Sequence, residues 1–406
     1  MNEMLDLNGS TILVTGGAGM IGSYTVDLLL RDYSCTVRIF DNLSKSTHPE
    51  GRPPWLPAQC EFIEADMRDR PALLRALSGV DYVFHLAAVG QETKSTCLAD
   101  LVSANCVGSA TLFDTIKSER LPVKKIVVAS SMGVYGPSSY MRPDGSEYIG
   151  YTREASRMAA QQYETVDDNG VECARAYPVK ETRALLAEYP YSQTKLVQEK
   201  LALWAGKELG IPTVALRYSI THGARQSPHN PYTGVISFFA TQILNGKAPA
   251  VYEDGLQTRD FMYASDVAAA NVTAMRASGA NGRALNVGSG REPATMMRVA
   301  KFMCNHLGTP GMVPRLPGQF RPFDARHIAL DGTELRKLGW KGPEVSVEEG
   351  LRMHCDWMRK EHESRAGGLE DRYSAIIEKQ VASGDVKSVR PQQSKRKSEE
   401  MSNSKL

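Results

Sequence analysis

Tyr191 and Lys195 stand four residues apart in the stretch EYPYSQTKLVQEK, and Ser131 closes the stretch KIVVASS. On an α-helix that spacing puts both side chains on one face. An ammonium beside a phenol favours the phenolate. The pair therefore predicts a Tyr191 acidity moved down from about 10 toward a range useful for a general base. Ser131, at the end of an apolar run, offers a hydroxyl that can position a substrate hydroxyl beside that base. The spacing alone is weak, because a chain with 16 tyrosines produces one such pair by chance. Its weight depends on the elements that carry it.

Those elements alternate. Apolar runs at Thr11–Thr15, Thr36–Phe40, Glu61–Ile63, Tyr82–His85, Ile126–Ser130 and Thr213–Arg217 are separated by amphipathic stretches. This is the pattern of a parallel sheet with helices on both faces. The expected fold class is α/β, a Rossmann-type doubly wound parallel sheet with a smaller α/β substrate-binding lobe. The first domain spans 8–218 and the lobe 219–360, with 264–290 returning to the sheet and a last helix at Glu344–Lys360. The loop Ser44–Ala58 reads as a surface excursion. The polar insertion 137–189, with a helix expected at Arg153–Thr165, reads equally as a lid or as a partner surface. Beyond Ser364 polar and charged residues dominate, so 364–406 is expected to be a flexible tail with at most a turn or two of helix at Ala375–Val381.

The first run leads into VTGGAGMIGSYTVDLLL, where Gly16, Gly19 and Gly22 fall between a strand and a helix. Glycines there let backbone amides and the helix N-terminus approach a pyrophosphate, with Met20 and Ile21 in the same turn. Asp41, followed by Asn42, ends the second run. Its carboxylate can accept from ribose hydroxyls and would repel a 2′-phosphate, which favours NAD over NADP although Arg38 and Lys45 lie near; the alternative is a turn-former. Asp66, beside Met67 in EADMRD, can reach an adenine edge or cap the helix at Arg70–Leu77. Leu86, Ala87 and Ala88 end the fourth run with side chains small enough to admit a cofactor. Asn105 is a candidate for a hydrogen bond that fixes its helix to the central strands.

In this order the glycines, Asp41, HLAA, Asn105, SSMGVYG and YSQTK resemble the extended short-chain dehydrogenase/reductase family over about residues 8–360. The resemblance implies NAD as cofactor, Ser131 and Tyr191 as the catalytic hydroxyl and base, and Lys195 as their helper and a holder of the nicotinamide ribose. The C-terminal half resembles NAD-dependent nucleotide-sugar epimerases, nearest to dTDP-L-rhamnose 4-epimerase-like and UDP-glucose 4-epimerase-like proteins. That resemblance implies Arg259 and Arg321 at a diphosphate and Asp324 at the nucleotide ribose; fixed guanidiniums suit two oxygens at once. Arg225 in GARQ keeps the family arginine, while Ser219-Ile220 replace the usual aromatic-Asn pair. In similar proteins a dehydratase carries Asp-Glu after the Ser/Thr, and a decarboxylase an acid at the second position; here they are Met132-Gly133. The resemblance thus implies C4 epimerisation of a nucleotide-diphosphate sugar through a transient 4-keto intermediate, with no metal and a homodimer as the assembly. The alternatives are a dehydrogenase, ketoreductase or dehydratase of the same fold, or a non-catalytic NAD-binding regulatory protein. Tyr135 reads as substrate wall or as packing.

Composition limits the partners. Hydrophobic residues are 42% and the net charge is +2, which gives no field for nucleic acid or an anionic membrane. No run approaches the roughly twenty apolar residues of a membrane span, and the N-terminus lacks a signal-peptide core. Seven scattered cysteines, an odd number without a C-x-x-C pair, argue against disulfides and zinc and for a reducing compartment. Ser404-Lys405-Leu406 matches the peroxisomal address, so a eukaryotic source implies peroxisomes and any other source the cytoplasm.

Overall fold

The apolar runs become one parallel sheet. In the computed structural model, which describes residues 3–90, 97–150, 153–229, 234–322 and 324–389, seven strands stand side by side. They are β1 (Thr11–Thr15), β2 (Thr36–Asp41), β3 (Glu61–Glu64), β4 (Tyr82–His85), β5 (Lys125–Ser131), β6 (Thr213–Tyr218) and β7 (Ala284–Val287). Their order is β7-β6-β5-β4-β1-β2-β3, with every neighbour parallel. The order reverses between β1 and β4, and the crevice outside the strand ends at such a reversal is where ligands bind in open α/β sheets.

Alternation along the strands feeds two cores. Ile12 and Val14 of β1 face Val26 and Leu29 of α1 (Met20–Asp32). Leu13, between them, faces the other side, where Leu73 of α2 (Arg70–Leu77), Leu112 and Ile116 of α3 (Gly108–Ser118) and Ala202 of α4 (Pro190–Leu209) pack. A third core joins α5 (Val235–Leu244), α7 (Met296–Leu307) and α8 (Val347–Glu363) through Phe239, Met303 and Leu351, and forms the smaller lobe. Between them, α6 (Ala264–Arg276) returns to the sheet and lies against α1. The seventh strand, ALNV, is interrupted by Asn286, which is fully buried and is held by Tyr135, Val179 and Asp331.

Two expectations change. The insertion forms no long helix at 153–165. It holds a hairpin (Ser138–Met141 with Glu147–Gly150), one short helix (Ala155–Ala159) and a second hairpin (Thr165–Val166 with Glu172–Cys173). Its charges are drawn out of a helical pattern by partners on the lobe. Arg153 pairs with Glu253 at 2.6 Å, and the fully buried Arg326 pairs with Glu164, Glu253 and Asp254 at 2.6, 2.8 and 2.7 Å. Buried ions need such pairing because desolvation is costly. The insertion therefore docks on the smaller lobe, although its chain leaves from the sheet.

The second change concerns residues 364–389, which were expected to be flexible and instead pack. Leu369, Tyr373 and Val386 are 3%, 4% and 2% exposed, and α9 (Arg372–Ala382) runs over the lobe. These few apolar residues, scattered among polar ones, find a preformed surface that composition does not show. Residues 390–406, with Ser404-Lys405-Leu406, lie outside the described residues. Among the described residues no helix is long and apolar enough to cross a membrane.

Replacing Arg326 by Ala leaves three carboxylates facing one another with a guanidinium missing. We expect a loss of about 3–5 kcal/mol, read as a lower denaturant midpoint, with only partial recovery in Arg326→Lys; an unchanged midpoint would contradict the role given to this cluster.

Candidate active site

A cavity of roughly 330 Å³ opens at the reversal of strand order. The turn after β1 forms its floor. Gly16 has φ +69° and lies so close to the β4 end that an added Cβ would meet the Ala87 backbone at 2.8 Å, which only glycine tolerates. Gly19, Met20 and Ile21 continue this wall into α1; Leu86, Ala87 and Ala88 form the facing one. A cradle of bare backbone at a helix N-terminus suits a dinucleotide's pyrophosphate. The loop 44–58, expected on the surface, reaches this turn: the Trp55 indole donates to the Ala18 carbonyl at 3.2 Å, and His48 is 7% exposed.

Asp41 stands at the end of β2, where its carboxylate accepts from the amides of Ala18 and Leu43, both at 3.0 Å. Burial pushes its carboxyl up, and those amides work against the shift. Arg38, one of the two cations that left NADP open, is turned away: it pairs with Glu61 at 2.6 Å and donates to the Ala76 and Ser78 carbonyls. Asp66, Asn42 and Met67 line the same end of the cavity. Asp66 does not cap α2. Asp69 does, accepting from the Ala72 amide at 3.0 Å, whereas Asp66 pairs with Arg68 and is pulled down to about 2, chiefly by that bond.

The opposite wall is α4, which starts at Pro190 in its first turn and presents Tyr191 and Lys195 to the cavity. Tyr191 is part-exposed, yet burial of its phenol pushes it up to about 12, against a hydrogen bond with Ser131. The downward shift expected from Lys195 is absent for a physical reason. The Lys195 ammonium is itself buried, which pulls it down to about 7, and it donates to Gln198 Oε1 at 2.5 Å. The Gln198 amide meets His85 at 3.0 Å and donates to Ser109 at 2.8 Å. His85, held down to about 3 chiefly by burial, contacts Thr15 at 2.8 Å. This relay from Lys195 to the central strands escaped the sequence reading; its only signal was a glutamine three residues after the lysine.

Beneath it, Glu199 pairs with Arg217 of β6 at 2.6 Å and accepts from Ser130 at 2.7 Å, while Ser131 at the next position accepts from the Gly133 amide at 3.1 Å. Asn105 is fully buried. It accepts from the Val89 amide at 2.7 Å and donates to the Val89 carbonyl and Thr194 at 3.0 Å, so it ties the β4 end to α4; its neighbour Ala104 lines the cavity. Tyr135 is packing, not wall: at 2% exposure it donates to Asn286 and accepts from Arg217.

A second cavity, roughly 320 Å³, lies in the lobe and brings Arg259, Arg321 and Asp324 together. Arg259 pairs with Asp324 at 2.9 Å, and Arg321 lies 5.2 Å over the Tyr252 ring. Arg225 does not join them. Its guanidinium pairs with Asp27 at 2.7 Å and lies over Tyr24, both on α1. Among the described residues no cluster of His, Cys, Asp and Glu is arranged to hold a metal.

Residues 12–163 and 172–288 match the model of a family described as the NAD dependent epimerase/dehydratase family. The chain is 31% identical over 366 residues to a dTDP-L-rhamnose 4-epimerase of Burkholderia thailandensis, covering 87% of this chain and 96% of that protein. The fold superposes on a UDP-glucose 4-epimerase of Thermotoga maritima solved with UDP-glucose at a TM-score of 0.68, with 30% identity and coverage of 86% and 99%. It also superposes on a Thermus thermophilus UDP-glucose 4-epimerase solved with NAD at 0.65, with 27% identity and coverage of 86% and 99%.

If the Asp41 carboxylate selects against a 2′-phosphate, Asp41→Asn weakens NAD about tenfold, the loss of a charge-assisted bond, and narrows the NAD-to-NADP ratio. Fluorescence titration with each nucleotide reads both; an unchanged ratio counts against this role.

Proposed function

The chain belongs to the NAD-dependent epimerase/dehydratase family, and on that premise we propose that it epimerises a nucleoside-diphosphate sugar at C4. Its cofactor is NAD, which supplies a hydride acceptor that becomes the donor of the return step. The glycine turn, Asp41, Asp66 and the Leu86–Ala88 segment would hold it. Tyr191, as its phenolate, would take the proton of the substrate's C4 hydroxyl while Ser131 orients that hydroxyl; with the C4 hydride lost to the bound NAD, a 4-keto sugar would be left. After the sugar turns over in the site, Tyr191 would return the proton to the same oxygen. Lys195, whose buried ammonium is pulled down to about 7, would be able to hold or release its proton near neutral pH without leaving the relay through Gln198.

The observation that carries this reading is the pair after Ser131. Elimination of water from neighbouring carbons needs an added acid and base, and the family's positions for them hold Met132 and Gly133. Gly133 faces α4 so closely that an added Cβ would lie 2.5 Å from the Ser192 hydroxyl oxygen. Met132 and Gly133 carry neither an acid nor a base, and Gly133 has no room for a side chain while Ser192 stays in place, whereas removal and return of one proton calls on Tyr191 alone among the side chains. Arg259, Arg321 and Asp324, converging in the lobe cavity, support a diphosphate and its ribose as the far end of the substrate.

We also infer a homodimer. Leu98, Val102 and Val107 are 61%, 47% and 49% exposed, and they neighbour Val197 and Trp204 of α4 at 48% and 60%. A second copy would cover this apolar face.

A panel of UDP-, dTDP-, GDP- and CDP-sugars in deuterated water, followed by NMR, tests the reaction. We expect interconversion of 4-epimers without solvent deuterium at C4, and a fall in kcat of about 10²–10⁴ in Tyr191→Phe with NAD binding retained. Net loss of water, or accumulating NADH, would sink the epimerase reading.

A further inference from the structure

The last described segment, residues 369–389, is built into the lobe cavity. Before α9, Asn245 donates to the Leu369 carbonyl at 2.9 Å, Lys247 pairs with Asp371 at 2.7 Å, and the Leu369 side chain sits in the lobe core. After α9, Lys387–Ser388 pair antiparallel with Gln319–Phe320, and the Val389 amide donates to the Gly318 carbonyl at 2.7 Å. Pinned on both sides, α9 crosses the cavity. Tyr373 meets Phe238 with ring centroids 4.8 Å apart, Ile376 and Ile377 line the space, and Gln380 accepts from Arg321 at 2.5 Å.

The cavity under this arm has the chemistry of a nucleoside diphosphate site. Arg259 and Arg321 line it together with an apolar surface of Val235, Phe238 and the two isoleucines. Gln257 lines it as well. It is 6% exposed, its amide nitrogen is committed to the Tyr252 carbonyl at 3.1 Å, and its buried Oε1 has no hydrogen-bond partner. A buried acceptor of this kind asks for a donor from a ligand.

We propose that α9 is a wall of the nucleotide end of the substrate site, where Ile377 sets its preference for a one-ring pyrimidine base and Gln380 steadies the diphosphate. Ile377 narrows the apolar part, and Gln380 holds the Arg321 guanidinium in place for the diphosphate. A two-ring purine would have to displace the arm, which its two anchors resist. The assignment rests on the nucleotide-sugar reading given above, and it goes beyond it by giving a specificity role to a segment whose composition reads as tail.

Calorimetric titration of the full-length protein with UDP, dTDP, GDP and inorganic pyrophosphate tests it, with Ile377→Ala and Gln380→Ala alongside the wild type. In Ile377→Ala we expect UDP or dTDP to bind about tenfold more weakly, the gap to GDP to shrink, and pyrophosphate and NAD affinities to hold. In Gln380→Ala all three nucleoside diphosphates and pyrophosphate should weaken by a similar factor, again with NAD unchanged. Equal affinities in wild type and both variants would overturn the proposal, as would tighter binding in the variants, which would make the arm a plug. If the wild type binds no nucleoside diphosphate at all, the nucleotide-sugar reading falls with it; binding that is insensitive to both variants removes only the role of α9.

Discussion

Glu199 is buried on α4 with no solvent exposure, and a carboxylate there must find a cation or the helix cannot pack. It finds Arg217 of β6 in a two-oxygen pair, at 2.6 and 3.0 Å, and takes the Ser130 hydroxyl as well. That one contact sets α4 against β5 and β6 together. Tyr191 and Lys195 stand two turns and one turn earlier on the same helix, and Ser131 is the next residue on β5. The distance between the Tyr191 phenol and the Ser131 hydroxyl therefore follows from an ion pair that lines neither group. Arg217 also donates to Tyr135, whose hydroxyl reaches Asn286 on the edge strand, so the same contact extends across the sheet.

The lobe is assembled by different means on its two sides. The insertion is held by a buried cluster of ions around Arg326, which is directional and specifies one docking geometry at the cost of desolvating every member. The C-terminal arm is held by apolar side chains, one ion pair and a short strand, each modest alone. Both segments reach the lobe from distant parts of the chain, and the C-terminal arm lines the cavity that contains Arg259 and Arg321. A strand order that reverses between β1 and β4 places the cofactor cradle beside α4, while the arm shapes the lobe cavity.

The readings that held depended on local pattern. Six strands were legible because their residues are apolar on both faces, and the glycine turn because Gly16 needs a positive φ within a fixed frame. Ser131, Tyr191 and Lys195 were legible as a set once the strand and helix carrying them were. The seventh strand was hidden because its central residue is a buried asparagine satisfied by three distant partners. A motif gives the position of Arg225 and not its direction; Asp27 and Tyr24 on α1 hold it apart from Arg259 and Arg321. The lowered Tyr191 acidity was misjudged because a helix wheel shows neighbours but not how deeply they are buried.

Composition and spacing alone determined the α/β class and the glycine turn of the dinucleotide cradle, since these rest on residues close in sequence with strict backbone needs; the roles of Ser131, Tyr191 and Lys195 came from the family resemblance. Tertiary structure decided which charges pair, which way each guanidinium turns and where the last described residues lie. Those outcomes depend on partners tens to hundreds of residues apart, such as Arg153 with Glu253 or Arg321 with Gln380. Burial sets the strength of each such contact, and burial exists only after the chain has folded.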